Sequence, residues 1–133
     1  MTDANSPLVR HEHLLLDEKW NDSRRGDATW RTFFSRDVTP TAALTTGIST
    51  ILACAELVRH RHVAVETYYF LEGSGLLTLG GAEYEVRSGS AVHIPSLTDH
   101  GVRNTGAHAL RFFSVFAADS FLDVEYDFGW DAE

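Results

Sequence analysis

The 133-residue chain has few of the residues that mark several classes of protein. Cys54 is its single cysteine, so no disulfide can form within the chain and a disulfide-stapled scaffold is excluded. Lys19 is its single lysine, and the formal net charge of −8 disfavours binding to nucleic acid or to an anionic membrane. No apolar run approaches the roughly 20 residues of a membrane-spanning helix, and the first residues do not resemble a signal peptide. We therefore expect a cytoplasmic protein whose partner is a small molecule.

The residues that are present predict one all-β domain. Hydrophobic residues make up 44% of the chain and charged residues 23%, which is typical of a globular protein. After a polar extension at residues 1–29, the domain at residues 30–133 contains short alternating or β-branched segments separated by glycine turns. This spacing predicts a β-sandwich or barrel. The apolar segment 14–20 is expected to be a short helix or a strand that packs across a sheet. The acidic, aromatic tail is expected to be a short helix or a cover over the barrel mouth.

Four side chains can bind one metal ion. They are His60, His62, Glu66 and His100. Because side chains alternate along a strand, the first three of these lie on one face, and a distant segment supplies His100. Three imidazoles and one carboxylate suit a divalent transition metal such as Fe, Mn, Ni or Zn, and on a six-coordinate ion they leave positions open for water or substrate. The pattern therefore predicts a metal site.

The same alternation predicts the neighbours of this site. Tyr68 and Phe70 share the inward face with the ligands, whereas three arginines face outward, namely Arg59, Arg61 and Arg103. The ligand strands thus offer no inward cation, and aromatic faces attract a positive group by roughly 0.5–2 kcal/mol. This environment favours a zwitterionic carboxylate over a dianion as the substrate. If Val92 and Ile94 pack outward, His93 points into the barrel as a proton carrier or as a partner of a ligand.

Two motifs in the chain resemble those of the cupin family. The first contains His60, His62, Glu66 and Gly73, and the second contains Gly89, Pro95, His100 and Asn104. Cys54 and Leu97 stand where the motifs have glycine, and glycine tolerates the positive φ of a turn. The resemblance implies a double-stranded β-helix, or jelly-roll, barrel with a metal inside, often as a homodimer.

A narrower resemblance is to the cupin dimethylsulfoniopropionate lyases. It rests on Trp30, on Leu44-x-x-Gly47, on the HxHxxxExY run, and on a tail pattern from Asp119 to Tyr126. It implies cleavage of a sulfonium zwitterion to dimethyl sulfide and acrylate, with the carboxylate on the metal, Tyr68 taking part in proton abstraction, and Tyr126 as the tail tyrosine.

Other interpretations of the same residues remain open. The two tyrosines can simply pack, Tyr68 inside the barrel and Tyr126 with Trp130 in the tail. The ligand set also serves an iron-dependent dioxygenase acting on a small aromatic compound or thiol. A non-catalytic cupin that binds a small ligand is the third alternative.

Overall fold

The structure is a computed structural model, and it describes residues 7–129. Strands dominate it, and the helical elements are three short 3-10 helices at Glu12–Leu14, Ser23–Arg25 and Phe121–Asp123. In chain order the strands are β1 (Thr29–Phe34), β2 (Thr45–Ile51), β3 (Glu56–His60), β4 (Glu66–Glu72), β5 (Ser74–Leu79), β6 (Ala82–Arg87), β7 (Ala91–Ile94), β8 (His100–Asn104) and β9 (Leu110–Phe116). Within residues 7–129, no helix is long and apolar enough to cross a membrane.

The nine strands form two antiparallel sheets. One sheet has the order β1-β2-β9-β4-β7, and the other has the order β3-β8-β5-β6. The strands lie in the part of the chain that the sequence pattern indicated, except that β1 begins at Thr29, one residue before the predicted domain. Non-consecutive strands pair in both sheets as a jelly roll requires. The prediction of an all-β jelly-roll barrel is confirmed.

The hydrophobic core lies between the two sheets. Alternate side chains of each strand face it, as the side-chain period of a strand requires. On β4 the buried residues are Glu66, Tyr68 and Phe70, and on β9 they are Leu110, Phe112, Ser114 and Phe116. The core cluster contains aliphatic residues together with Tyr68, Phe70 and Phe112, and the buried polar residues include the three histidines and Glu66. The alternation of buried and exposed side chains predicted from the sequence is therefore present in these strands.

The motif residues that are not candidate ligands shape the turns. Gly73 has φ +82°, and a Cβ there would lie 2.5 Å from the Ala109 carbonyl oxygen, so only glycine fits. The Asn104 amide donates to the carbonyl oxygens of Ile51 and His108, both at 2.8 Å, and thereby joins two loops. These contacts give a structural reason for the spacing of the motifs.

The two positions that depart from the motifs keep the glycine-like backbone. Cys54 has φ +68° and Leu97 has φ +58°, which is the left-handed region that side chains with a Cβ disfavour by about 1–2 kcal/mol. Both side chains are exposed, so they clash with nothing. The turns therefore retain their shape at some cost in stability.

Both ends of the described chain fold over one mouth of the barrel. Glu18 and Trp30 exchange two backbone hydrogen bonds of 2.7 and 3.0 Å. The amino-terminal segment thus pairs with β1 at one isolated antiparallel bridge. Arg61 and Asp127 exchange two of 2.9 Å each, which fixes the tail across the chain between His60 and His62. Of the two alternatives predicted for the tail, both are present: a short helix comes first and an extended cover follows it.

Candidate metal centre

Three histidines meet at the covered mouth of the barrel. His60 ends β3 and His100 begins β8, and the two are cross-strand partners. Together with His62 they place one nitrogen each within 4.8 Å of one another, and all three rings are at most 3% exposed. His62 is not part of β3, because the Arg61 backbone pairs with the tail instead of with a sheet strand. It still points inward, as the alternation predicted.

Backbone hydrogen bonds fix how the three imidazoles are oriented. Nδ1 of His60 lies 2.7 Å from the Val58 oxygen, that of His62 2.8 Å from the Ala64 oxygen, and that of His100 2.9 Å from the Thr98 oxygen. A carbonyl oxygen can only accept, so each Nδ1 carries a proton and each neutral ring leaves Nε2 with a free lone pair. Protein metal sites use this arrangement to orient histidine ligands.

The free nitrogens face acceptors rather than donors. Glu66 begins β4 and places Oε1 3.0 Å from Nε2 of His62 and 3.5 Å from Nε2 of His100. Nε2 of His100 is fully buried and has no hydrogen-bond partner in the described part of the chain. An unsatisfied buried group of this kind costs about 1–3 kcal/mol. A cation at this point would satisfy all these lone pairs, so the residues present fit a divalent metal.

Electrostatics keep one of the rings neutral. Burial, together with the neighbouring His100, lowers the pKa of His60 from 6.5 to about 3. The imidazole of His60 is therefore uncharged at neutral pH, which is the form that binds a metal.

Tyr68 and Tyr126 flank the histidines from different elements. The Tyr68 ring packs 4.4 Å from that of Phe112 and 6.1 Å from that of His100, measured between centroids. Tyr126 comes from the tail, and its ring lies 5.4 Å from that of His60. Burial first and the Glu66 carboxylate second raise the pKa of both phenols well above 10. Without a nearby cation, both phenols hold their protons.

A small cavity of about 30 Å³ lies beside the histidines. A space of roughly 10–15 Å³ already holds one water, so the cavity has room for about two waters or one small polar group. Its wall is mostly aromatic. The lining residues are Trp30, Gly47, Ser49, Leu57, His60, Glu66, Tyr68, Phe112, Ser114, Phe116, Phe121 and Tyr126.

The amino-terminal extension contributes residues that sequence reasoning missed. Trp20 packs with ring centroids 5.0 Å from Trp30 and 5.2 Å from Tyr126, and 6.5 Å from His60. The Arg25 guanidinium lies over the rings of Phe128 at 4.8 Å and Trp20 at 5.7 Å. A cation is thus present at the mouth, although the ligand strands supply none. Neither residue stands in a motif, so only their tertiary contacts bring them to the site.

The remaining positions predicted from the sequence are either exposed or outside the described residues. Arg59, Arg61 and Arg103 are exposed, as predicted. His93 is exposed too, because Val92 and Ile94 are the buried residues of β7, so its inward placement is wrong. Trp130 lies outside the described residues.

The family of the chain follows from its central segment. Residues 49–116 match the family model described as "Cupin domain", which spans both histidine motifs. The chain belongs to the cupin family. The three histidines therefore lie in the two cupin motifs that were identified in the sequence.

Relatives of this cupin include a named lyase. It is 36% identical over 107 residues to "Dimethylsulfoniopropionate lyase DddW" of Ruegeria pomeroyi, a match that covers 80% of this chain and 70% of that protein. The resemblance stated for the sequence is thus confirmed.

Solved structures agree on the fold. A predicted oxalate decarboxylase from Thermotoga maritima superposes with a TM-score of 0.73 at 21% identity, over 83% of this chain and 98% of that one. The polyketide cyclase RemF from Streptomyces resistomycificus gives 0.76 at 20% identity, over 90% and 82% of the two chains. At these identities the likeness concerns the barrel and not the reaction.

Proposed function

We propose that this cupin is a metal-dependent carbon–sulfur lyase that cleaves dimethylsulfoniopropionate or a close analogue. The observation that carries the proposal is the buried histidine cluster with Glu66 beside it, facing a cavity that contains two tyrosines. The 36% identity to a named dimethylsulfoniopropionate lyase supports the choice of substrate.

Four residues of the chain would hold the metal: His60, His62 and His100 through Nε2, and Glu66 through its carboxylate. A divalent metal bound there would supply positive charge that anchors the substrate carboxylate and favours the phenolate form of nearby tyrosines. The carbonyl contacts of Val58, Ala64 and Thr98 keep the three rings in place. Burial of the ligands excludes bulk water from the site.

The chemical step needs a base, and Tyr68 is the proposed one. Its oxygen, in the phenolate form, takes a proton from the carbon next to the carboxylate, and the electron pair of that C–H bond forms the double bond of acrylate. The bond between the next carbon and sulfur breaks, and its electron pair leaves with dimethyl sulfide. Tyr126, which lines the same cavity from the tail, is the proposed second proton carrier. General acid–base catalysis of this kind contributes about 10²–10⁴ in rate.

The cavity wall supports a substrate with a positive end. Trp30, Phe116 and Phe121 line it, and the rings of Trp30 and Phe121 are stacked at 5.5 Å. Aromatic faces attract a sulfonium or ammonium group by roughly 0.5–2 kcal/mol. The Phe116 ring also lies 5.3 Å from that of His62, so this wall borders the ligand cluster.

The test is release of dimethyl sulfide from dimethylsulfoniopropionate, with the protein loaded in turn with Fe, Mn, Ni and Zn. We expect release with at least one metal, and a loss of about 100-fold or more in kcat for Tyr68→Phe. Tyr69→Phe is the matched control, because Tyr69 is the next residue of β4 and is 47% exposed on the opposite face. No release with any metal would refute the substrate assignment. Substrate-dependent oxygen uptake with Fe(II) alone would point to the dioxygenase alternative instead.

A further inference from the structure

Two serines face the cavity from adjacent strands of the larger sheet. Ser49 lies on β2 and Ser114 on β9, and both line the cavity. Ser114 is cross-strand partner to Tyr68 on one side and to Gly47 on the other. Gly47 lines the same cavity.

Neither hydroxyl has a hydrogen-bond partner within residues 7–129, although Ser114 is only 5% exposed. Several other polar side chains of the protein are bonded, although the buried Thr46 hydroxyl and Nε2 of His100 are not. Ser35 and Ser120 donate to the Asp37 carboxylate, and Asn104 bonds to three backbone groups. Neither serine oxygen is among the fully buried side-chain atoms that lack a partner in the described chain, so both oxygens keep accessible surface, and both residues line the cavity. The two serines therefore point to a polar ligand in the cavity.

We propose that Ser49 and Ser114 form a hydroxyl subsite that donates hydrogen bonds to a carboxylate oxygen of a small substrate. The inference rests on the proposed function, which supplies the carboxylate. Among residues 7–129 no lysine or arginine lines the cavity, so neutral groups must donate these hydrogen bonds. The cavity holds about two waters, which matches a carboxylate group rather than a larger anion. With the two tyrosines assigned to proton transfer, the serine hydroxyls are the donors on the sheet wall.

Binding of the product acrylate tests the subsite without turnover. The protein is loaded with one equivalent of Zn(II), its zinc content is measured, and acrylate is titrated in by calorimetry. We expect the Ser49→Ala/Ser114→Ala double variant to bind acrylate about tenfold or more weakly, because hydrogen bonds to charged groups are lost. Its zinc content should equal that of the unmodified protein.

Thr46→Ala is the matched control. Thr46 lies on β2 with Ser49, and its hydroxyl is also buried without a hydrogen-bond partner, but it faces away from the cavity. Acrylate affinity should be unchanged in this variant. If the alanine double variant does not fold, Ser114→Cys keeps the size of the side chain and replaces the hydroxyl with a weak donor, and it should also weaken binding.

The results separate this inference from the proposed lyase activity. Weaker acrylate binding in the serine variants, in a protein that releases no dimethyl sulfide, would support the subsite and refute the lyase. Dimethyl sulfide release with equal acrylate affinity in all variants would support the lyase and refute the subsite. Absence of acrylate binding by the zinc-loaded unmodified protein would overturn the subsite as well.

Discussion

The candidate ligands and the segments that cover them are held in different ways. Each of the three histidines donates to a carbonyl only two residues away along the chain. The cover consists of Trp20, Arg25, Tyr126 and Phe128, which come from the two ends of the described chain. Its ion pair between Arg61 and Asp127 joins residues 66 positions apart. Local contacts keep the ligands oriented, whereas the cover depends on both ends being folded, so the two regions should respond differently to mutation.

Removing a ligand gives the largest expected effect. His100→Ala deletes a proposed metal ligand and leaves a cavity beside Glu66, so we expect metal affinity to fall by more than about 100-fold, beyond what loss of an outer partner causes. Metal content after dialysis, measured by mass spectrometry, checks this. His93→Ala is the control, because His93 is exposed and should leave the content unchanged.

Acid should weaken the ligand cluster before it weakens the cover. The unfolded chain protonates His60 near pH 6.5, but the folded protein does so only near its pKa of about 3. The free energy of unfolding of the metal-free protein should therefore fall as pH drops below about 6.5, by about 1.4 kcal/mol per unit. Hydrogen bonds from Gly129 and Arg61 lower the pKa of Asp127, so the cover keeps its ion pair in that window.

Denaturant unfolding of the metal-free protein between pH 4.5 and 8 measures this dependence. His60→Gln removes the titrating ring, and its unfolding free energy should change less with pH. An equal slope in both proteins would show that His60 is not the origin of the acid sensitivity.

Removing the centre of the cover should loosen it and leave the ligands in place. Trp20→Ala takes away the ring that contacts Trp30, Tyr126 and Phe128, and we expect a loss of about 2 kcal/mol in unfolding free energy for this half-buried side chain. Metal stoichiometry should not change, but a chelator should remove the metal faster. Leu16→Ala, at an 85% exposed position of the same segment, should alter neither quantity.

The smallest effect is expected where the cover is held by an exposed ion pair. Asp127→Asn removes the charge that lies 2.9 Å from Nε of Arg61 but keeps the backbone bridge. Exposed ion pairs contribute little to stability, so chelator removal of the metal should be only a few times faster. A change as large as that of Trp20→Ala would show that the ion pair, and not the aromatic cluster, holds the tail.

The difference between local contacts and contacts distant along the chain also explains which features the sequence could predict. Strand alternation placed His60, Glu66, Tyr68 and the outward arginines correctly, because these depend on a local period of two. Alternation also held at His93, but Val92 and Ile94 pack inward and not outward, so the condition for an inward His93 is not met. Arg25 and Trp20 could not be predicted at the site, because no local pattern records that the extension crosses the mouth of the barrel. The two serines were missed because an inward serine has no periodic signature of its own.

The central claim is that His60, His62, His100 and Glu66 bind one divalent metal. X-ray absorption at the metal edge, on protein loaded with Zn(II) and freed of excess ion, tests it most directly. We expect one zinc per chain, with nitrogen and oxygen neighbours only and the scattering pattern of three imidazoles. A chain that retains no zinc, or a sulfur neighbour contributed by Cys54, would contradict it.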